Sequence, residues 1–346
     1  MDEVSRTEAL FRHGTAYSWS RARAALESIG IRDGAGDQEA EAVIESAVVP
    51  ARPLLGFMRA FVAEYRDRED VQSLLAGAGD ADLMDAIAGL DDATHDALLL
   101  VRDALSDLSA FVSGEKTGDD IIFTVQGLKR WRRLFRDSLL MKWNGRSIVK
   151  MLEHSTGLRP HGEVWLEIGG GVGGTAYDLI DFGLARGALN RYIFTDLAPT
   201  FLSMFARESR RRFGPESKRL EVRELNLNDP LPDLRCTAVF GTNVIHCASD
   251  PVCALNAIGD RLLGAGGFLY FAETTRSDFY RTILLELFYL FLSDYATFPA
   301  HGATQERGLY GDEQWMDAIG RSALTLVARE QPFPWTTVYG LEASPR

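Results

Sequence analysis

The stretch VWLEIGGGVGGT, residues 164–175, decides the fold of this chain. Its apolar first half predicts a buried β-strand, and the five glycines within residues 169–174 predict a loop that leads into a helix. Glycine adopts backbone conformations that other residues avoid and lets a ligand approach the main chain closely. Ligands of open α/β sheets bind beyond the carboxyl ends of the strands, so this loop predicts a nucleotide-type site. A tight turn alone would not need five glycines.

Two classes of cofactor fit the loop. Gly169, Gly171 and Gly174 satisfy the dinucleotide pattern G-x-G-x-x-G, which is a weak signal on its own. Glu167 lies two residues before the first of these glycines. A carboxylate there would repel a pyrophosphate but attract the ammonium group of a methionine moiety, which favours S-adenosylmethionine (SAM). Asp196, at the end of the next predicted strand, can accept hydrogen bonds from ribose hydroxyls, which both cofactors carry.

The rest of the C-terminal region predicts an α/β fold. From about residue 160, helix-like segments separate short β-prone runs at residues 164–168, 192–195, 220–223, 238–242 and 268–272. Strand–helix alternation predicts a mostly parallel sheet with helices on both faces. Two later runs, residues 324–329 and 336–341, predict a closing antiparallel pair.

The N-terminal third differs in pattern and in charge. Residues 1–120 carry apolar residues at three- and four-residue spacing, which predicts helices. They hold 11 Lys and Arg against 24 Asp and Glu, while the whole chain of 346 residues has a net charge of −12. We therefore predict a helical domain over residues 1–120, a helical linker over 121–160, and an α/β domain with the cofactor site over 161–346. The negative total argues against non-specific nucleic-acid binding.

A basic run stands at the start of the predicted helical linker. Residues 121–150 contain eight Lys and Arg but only one acid, Asp137. One interpretation is a solvated helix face. The other is a docking surface for an anionic partner or substrate.

Other features limit the cellular setting. The longest apolar run, residues 283–292, is interrupted by Glu286 and is far shorter than a membrane span of about 20 residues. The N-terminus lacks the basic region followed by an apolar region that is typical of a secretory signal, so we expect none. The three cysteines, Cys236, Cys247 and Cys253, form no Cys-x-x-Cys pair, which predicts reduced thiols in a cytoplasm and no metal site.

Over roughly residues 108–275 the sequence resembles the class I SAM-dependent methyltransferases. It is most similar to the C-methyltransferase domains of polyketide and nonribosomal peptide synthetases. The matching motifs are residues 166–175, the ribose-binding motif 192–197, the fourth-strand motif 243–248 and the fifth-strand region 262–274, with lid-like segments at 114–115, 122–123 and 134–138. The resemblance implies a Rossmann-like, mostly parallel sheet of seven strands with a helical N-terminal domain or lid. It makes residues 121–160 a helical lid or linker and residues 161–346 the SAM-binding catalytic domain.

The resemblance also implies roles for individual residues. His246 would be a general base, oriented by Glu273 at the end of the fifth strand. The alternative is a structural histidine at a strand end and a helix N-terminal acid. The residues implied for SAM binding are Glu167, Gly169, Gly171, Gly173, Asp196, Leu197, Asn226, Leu227 and Asn243.

Aromatic residues are implied around the acceptor. The predicted substrate-pocket residues are Phe135, Tyr280, Tyr289 and Tyr295. Many relatives carry Tyr at the position of Phe135, so a hydroxyl contact is missing here, and an Asn stands at position 226 where relatives often have Asp. Packing within an amphipathic helix would account for most of the aromatics between residues 279 and 298.

Three functions remain open at this point. The chain could be a methyltransferase of natural-product biosynthesis, acting on a small molecule or on an acyl group held by an acidic carrier protein that docks on the basic run. It could instead cyclise the aminobutyryl arm of SAM to azetidine-2-carboxylate and release methylthioadenosine, as some free-standing relatives do. It could also be a SAM-binding scaffold subunit without catalysis. A homodimer is a further prediction.

Overall fold

The computed structural model describes residues 1–32, 37–154, 162–277, 279–292 and 309–344. These residues form two compact units. The N-terminal unit comprises residues 1–141 and 280–292, and the sheet unit comprises the described residues between 142 and 279 and from 309 onward. The sequence-based domain boundaries at 120 and 160 remain predictions. None of the described helices combines the length and the apolar character that a bilayer crossing requires.

The N-terminal unit is helical in its described residues, as its apolar spacing predicts. A π-helical turn, Arg133–Asp137, follows its ninth helix. The helices are α1 (Glu3–Ser28), α2 (Asp37–Ser46), α3 (Arg52–Tyr65), α4 (Glu69–Gly77), α5 (Asp80–Leu90), α6 (Asp92–Ser106), α7 (Leu108–Ser113), α8 (Gly118–Ile122), α9 (Val125–Arg132) and, from the later segment, α14 (Glu286–Tyr289).

The later segment, residues 280–292, is bound tightly to the early helices of its unit. The Glu64 carboxylate accepts hydrogen bonds from the backbone N–H of Arg281 at 3.0 Å and from the N–H and hydroxyl of Thr282 at 2.8 and 2.6 Å. The Tyr65 hydroxyl donates to the Thr282 carbonyl at 2.9 Å. Residues more than 200 positions apart in the sequence therefore share one core.

Part of the basic run is neutralised inside this unit. Arg130 is buried and contacts the carboxylates of Asp96 and Asp103, and Arg133 contacts Asp92 at 2.6 Å and Asp96 at 3.5 Å. Arg136 also pairs with Asp137, whereas Lys150, which belongs to the sheet unit, pairs with Glu330. Neither interpretation of the basic run, a solvated helix face or a docking surface, describes Arg130 and Arg133, because their charges join α9 and the π-helical turn to α6.

The sheet unit contains seven strands. They are β1 (Glu163–Ile168), β2 (Leu189–Asp196), β3 (Leu220–Glu224), β4 (Cys236–Thr242), β5 (Leu263–Thr274), β6 (Leu324–Phe333) and β7 (Thr336–Ala343). Their order is β3-β2-β1-β4-β5-β7-β6, and all neighbours are parallel except β7, which runs antiparallel to both β5 and β6. The predicted mostly parallel sheet and closing antiparallel pair are confirmed.

The helices of this part of the chain follow the alternating pattern. α10 (Leu139–His154) precedes β1, and four further helices lie between consecutive strands: α11 (Gly174–Ala185), α12 (Pro199–Phe213), α13 (Pro251–Ala257) and α15 (Asp312–Gly320). Alternate strand residues feed two separate buried clusters, one around Trp165 and Phe240 and the other around Leu166 and Val239. The central strands β1, β2, β4 and β5 are largely buried, so their ends are the open positions, and the predicted site residues lie at the carboxyl ends.

Candidate active site

The carboxyl ends of the parallel strands bring the predicted polar residues to one edge of the sheet. Glu167 is the penultimate residue of β1, Asp196 is the last of β2, Asn243 directly follows β4, and Glu273 is the penultimate residue of β5. The topology alone therefore gathers residues that are separated by more than 100 positions in the sequence.

The glycine loop takes the conformation that its composition predicts. Gly169, Gly171 and Gly173 have positive φ angles of 59°, 53° and 80°. A Cβ on Gly169 would lie 2.3 Å from a Val244 methyl carbon, whereas a Cβ on Gly171 would meet no atom within 4 Å. The loop is thus packed on one side against the β4 turn and open at Gly171, where a ligand can reach the main chain.

Asp196 joins this loop to the turn after β2. Its Oδ2 accepts a hydrogen bond from the Gly171 N–H at 2.8 Å, and its Oδ1 accepts one from the Ala198 N–H at 2.8 Å. Burial raises the pKa of the carboxyl, and these backbone donors partly oppose the change. Each carboxylate oxygen still has acceptor capacity beyond these bonds, so the group can also accept from a hydroxyl.

Glu167 is buried, with 2% of its surface exposed. The Tyr192 hydroxyl donates to its Oε2 at 2.9 Å. Burial raises the pKa of Glu167 to about 8, against the effect of this hydrogen bond. The side chain therefore carries a proton at neutral pH, and a cation bound beside it would favour its ionised form.

The other residues predicted to bind the cofactor line the same edge in different ways. Leu197 is 52% exposed directly after Asp196. The amide oxygen of Asn226 accepts from the Asn228 N–H at 3.0 Å, and Leu227 packs against the buried cluster beneath it. Asn243 has a positive φ of 49°, and its Oδ1 accepts from the Thr274 N–H at 2.7 Å.

His246 and Glu273 form a buried pair, with exposed fractions of 3% and 0%. The distance from His246 Nδ1 to Glu273 Oε2 is 2.7 Å. The other oxygen, Oε1, accepts from the backbone N–H groups of Val244 at 3.2 Å and Ile245 at 2.8 Å. Three donors therefore hold one carboxylate, which fixes the turn that carries His246 to the end of β5.

This geometry assigns the imidazole protons. Since an ionised carboxylate only accepts hydrogen bonds, Nδ1 carries the proton that faces Glu273, which leaves Nε2 as the basic nitrogen of the neutral ring. Burial lowers the pKa of His246, but the neighbouring Cys247 side chain and the Glu273 carboxylate outweigh it and raise this pKa well above 6.5. The base form of His246 therefore becomes more populated as the pH rises above neutrality.

The residues predicted for the acceptor pocket lie in the N-terminal unit. Phe135 stacks on Tyr289 with ring centroids 6.0 Å apart, and Trp131 contacts both rings. Tyr280 instead packs edge-on against Phe11 at 5.1 Å. The structure brings Phe135 and Tyr289 together but not Tyr280, and Tyr295 lies outside the described residues.

Several groups of the site were not identified from the sequence. Tyr192 is one, although a tyrosine inside an otherwise apolar strand run was a detectable signal. The backbone N–H groups of Val244 and Ile245 are others, and no sequence pattern marks them. In the described parts of the chain, no group of three or more His, Cys, Asp or Glu side chains is placed to hold a metal ion.

No protein-family model matches the sequence. A part of the chain is 37% identical, over 144 residues, to the non-reducing polyketide synthase atr1 of Stereocaulon alpinum, and this match covers 40% of this chain and 6% of the synthase. The chain thus corresponds to a small fraction of the length of that relative.

Solved structures match nearly the whole chain. The CurJ carbon methyltransferase has a TM-score of 0.75 at 19% identity, with 99% of this chain and 94% of that chain covered. The trans-methyltransferase CalH, solved in complex with SAH, has a TM-score of 0.67 at 16% identity, with 99% and 92% covered. The chain has the class I methyltransferase fold, so the predicted fold class and the predicted resemblance are both confirmed.

Proposed function

We propose that this chain is a SAM-dependent carbon methyltransferase of polyketide biosynthesis, with His246 as general base and Glu273 as the residue that orients it. The observation that carries the proposal is the buried pair itself, in which His246 Nδ1 lies 2.7 Å from Glu273 Oε2 at the carboxyl edge of the sheet. A structural histidine would not need a carboxylate that three donors hold in place.

The residues at the edge of the sheet fit SAM. The open space at Gly171 leaves room for the nucleoside part, and Asp196 lies next to it with acceptor capacity for ribose hydroxyls. Glu167, protonated in the free protein, would ionise beside the ammonium group of the methionine part. When bound, SAM supplies a methyl group on a positively charged sulfur, which reacts with carbon nucleophiles.

The protein residues have to prepare such a nucleophile. His246 Nε2 would remove a proton from the acceptor carbon, and the positive charge that develops on the imidazole would be stabilised by the Glu273 carboxylate at Nδ1. Burial of both side chains strengthens this interaction because the local dielectric constant is low. The raised pKa of His246 makes it a stronger base, but it also requires the group to lose its own proton first.

The acceptor is proposed as an acyl group, either on a small molecule or on a carrier protein. The likeness to a polyketide synthase supports this class, since the acyl chains of such synthases carry acidic carbon–hydrogen bonds next to carbonyl groups. Phe135 and Tyr289 are proposed to contact the acceptor, because their rings stack on each other and Phe135 is only partly buried.

The test is incubation of the purified protein with SAM, with and without acetoacetyl-N-acetylcysteamine, followed by mass spectrometry. We expect a C-methylated thioester and S-adenosylhomocysteine only when the acceptor is present. His246→Ala should lower the rate at least 100-fold, and the control His154→Ala, at an exposed histidine of α10, should retain it.

The other two functions are outcomes of the same experiment. Methylthioadenosine together with a four-carbon amino acid, formed from SAM alone, would replace the methyltransferase proposal with SAM cyclisation. Tight SAM binding without turnover over a panel of acyl thioesters would instead indicate a scaffold role. A His246→Ala variant with the wild-type rate would remove the proposed base.

A further inference from the structure

The outer face of α12 carries exposed positive charges that stand apart from the basic run of residues 121–150. Arg207, Arg210 and Arg211 are all exposed, and their spacing of three and four residues places them on one side of the helix. Phe205 and Ser209, the buried residues of α12, lie on the opposite side. Lys218 in the following turn is exposed as well.

These four cations differ from their neighbours in having no carboxylate partner in the described structure. The surrounding arginines are paired: Arg212 with Asp181, Arg219 with Glu216, and Arg186 with Glu153. Glu208, on the same helix, receives a hydrogen bond from the Tyr177 hydroxyl at 3.3 Å. The dipole of a helix stabilises cations in its last turn. This stabilisation does not explain three arginines on one solvent-facing side of the helix, because like charges three and four residues apart repel each other.

We propose that Arg207, Arg210, Arg211 and Lys218 form the docking surface for an acidic carrier protein that delivers the acyl acceptor. This inference rests on the proposed function. Charge complementarity identifies the partner: a compact cluster of unpaired guanidinium groups suits a protein surface with several carboxylates, which arginine can bind in a bidentate way. The basic run of residues 121–150 fits less well, because Arg130 and Arg133 are already neutralised by the carboxylates of α6.

The position of the surface also favours a carrier over a free small molecule. Because β2 and β3 are parallel neighbours, α12 starts at the cofactor edge and runs back along the sheet. At 1.5 Å per residue, the arginines lie about 12–18 Å along the helix from Pro199. A free acceptor gains nothing from cations at that distance, whereas an acceptor on a flexible tether has to be recognised away from the reacting atoms.

The experiment compares two acceptors and two triple variants. Arg207→Glu/Arg210→Glu/Arg211→Glu reverses the surface, and Arg23→Glu/Lys116→Glu/Arg321→Glu is the matched control, because it makes the same change in net charge at three scattered, exposed sites. We expect the first variant to lose tenfold or more in kcat/KM for an acetoacetyl-loaded acyl carrier protein at low salt, while its rate with acetoacetyl-N-acetylcysteamine stays within twofold of wild type. The control should keep both rates, and the loss should shrink as ionic strength rises.

Failure of the docking surface can be told apart from failure of the proposed function. If the surface variant keeps the carrier rate, or loses both rates equally with a wild-type melting temperature, the docking inference is wrong. If the wild type methylates neither acceptor, the proposed function is wrong, and fluorescence anisotropy with the labelled carrier then decides the docking surface alone. Carrier binding by the wild type that the triple charge reversal abolishes would support the docking surface. If the carrier does not bind, or if a single-stranded oligonucleotide binds the surface in preference to the carrier, the docking inference is wrong.

Discussion

Replacing Glu273 by Gln tests the proposed chemistry most directly. The substitution preserves size but presents one oxygen and one NH2 group to three donors, the backbone N–H groups of Val244 and Ile245 and the Nδ1–H of His246. A hydrogen bond to a charged partner contributes about 1.5–3 kcal/mol. If that interaction is strongest when the imidazole gains its proton, its loss lowers the rate about 10- to 150-fold.

The pH dependence gives a second, independent readout of the same variant. In the wild type the Glu273 carboxylate helps to raise the pKa of His246 well above 6.5, so the rate should increase with pH above neutrality. Removing the negative charge lowers the pKa of His246. The rising part of the pH–rate profile of Glu273→Gln should therefore move to lower pH while its plateau falls.

The assay is the initial rate of S-adenosylhomocysteine formation between pH 6 and 9.5 at a temperature where both proteins are folded. Glu163→Gln is the matched control, since Glu163 is also buried in the sheet but stands at the start of β1. We expect the control to keep the wild-type profile. A Glu273→Gln plateau within twofold of wild type, with an unmoved midpoint, would refute the assignment of His246 and Glu273 as a catalytic pair.

Three further predictions concern the loop, a buried acid and the basic run. Gly170→Ala should destabilise the fold by about 1–3 kcal/mol in thermal unfolding, because its Cβ would lie 2.1 Å from a buried aromatic ring. Gly171→Ala should destabilise the fold by only about 1 kcal/mol but reduce SAM affinity in calorimetry, since its Cβ enters open space. Equal effects of the two substitutions would contradict the loop assignment. The wild type should lose at most about 4 kcal/mol of stability as pH rises from 4.5 to 8, because burial raises the pKa of the Glu167 carboxyl to about 8 in the folded state only. Glu167→Gln should abolish this loss. Melting curves of both proteins at pH 5 and 8.5 check the prediction, and a wild type whose stability does not depend on pH would contradict it. In urea unfolding, Arg130→Met should destabilise the protein by about 1–3 kcal/mol, because Arg130 is buried against two carboxylates. Lys129→Met should destabilise it by less than about 0.5 kcal/mol, because Lys129 is exposed. Comparable values for the two variants would show that the ion pairs of Arg130 contribute nothing to stability.

The sheet could be predicted from the sequence because its central strands, β1, β2, β4 and β5, are largely buried. Runs such as residues 192–195 and 238–242 are apolar and β-prone throughout, and helices separate them, so element type and order followed from local pattern. The polar residues at strand ends, among them Asp196 and Glu273, could be placed at one edge because parallel strands share their carboxyl side.

Other features depend on contacts that no local pattern encodes. The burial of Glu167 and its bond to Tyr192 require the register of β1 against β2. The neutralisation of Arg130 depends on Asp96 and Asp103 of α6, which lie about 30 residues earlier in the sequence. Tyr280 and Tyr289 lie in one aromatic segment of the sequence, but the structure packs Tyr280 against Phe11 and Tyr289 against Phe135.

The attachment of residues 280–292 to the N-terminal helices has a consequence for how the protein is made. During synthesis, α3 leaves the ribosome more than 200 residues before Thr282, its partner through Glu64 and Tyr65. The Phe111 ring likewise contacts Phe291, at a centroid distance of 5.0 Å, and this partner is synthesised 180 residues later. The first unit therefore stays incomplete until most of the chain exists, with apolar surface open to aggregation or to chaperones.

The same attachment sets a rule for dividing the gene. A fragment ending at Met141 would lack the partners of Glu64, Tyr65 and Phe111, although it contains all nine of the early helices described. Its exposed core would promote self-association, while a fusion that restores residues 280–292 through a short linker should yield a more soluble product. Library designs that recombine this chain with related domains should accordingly keep residues 1–141 and 280–292 from one parent.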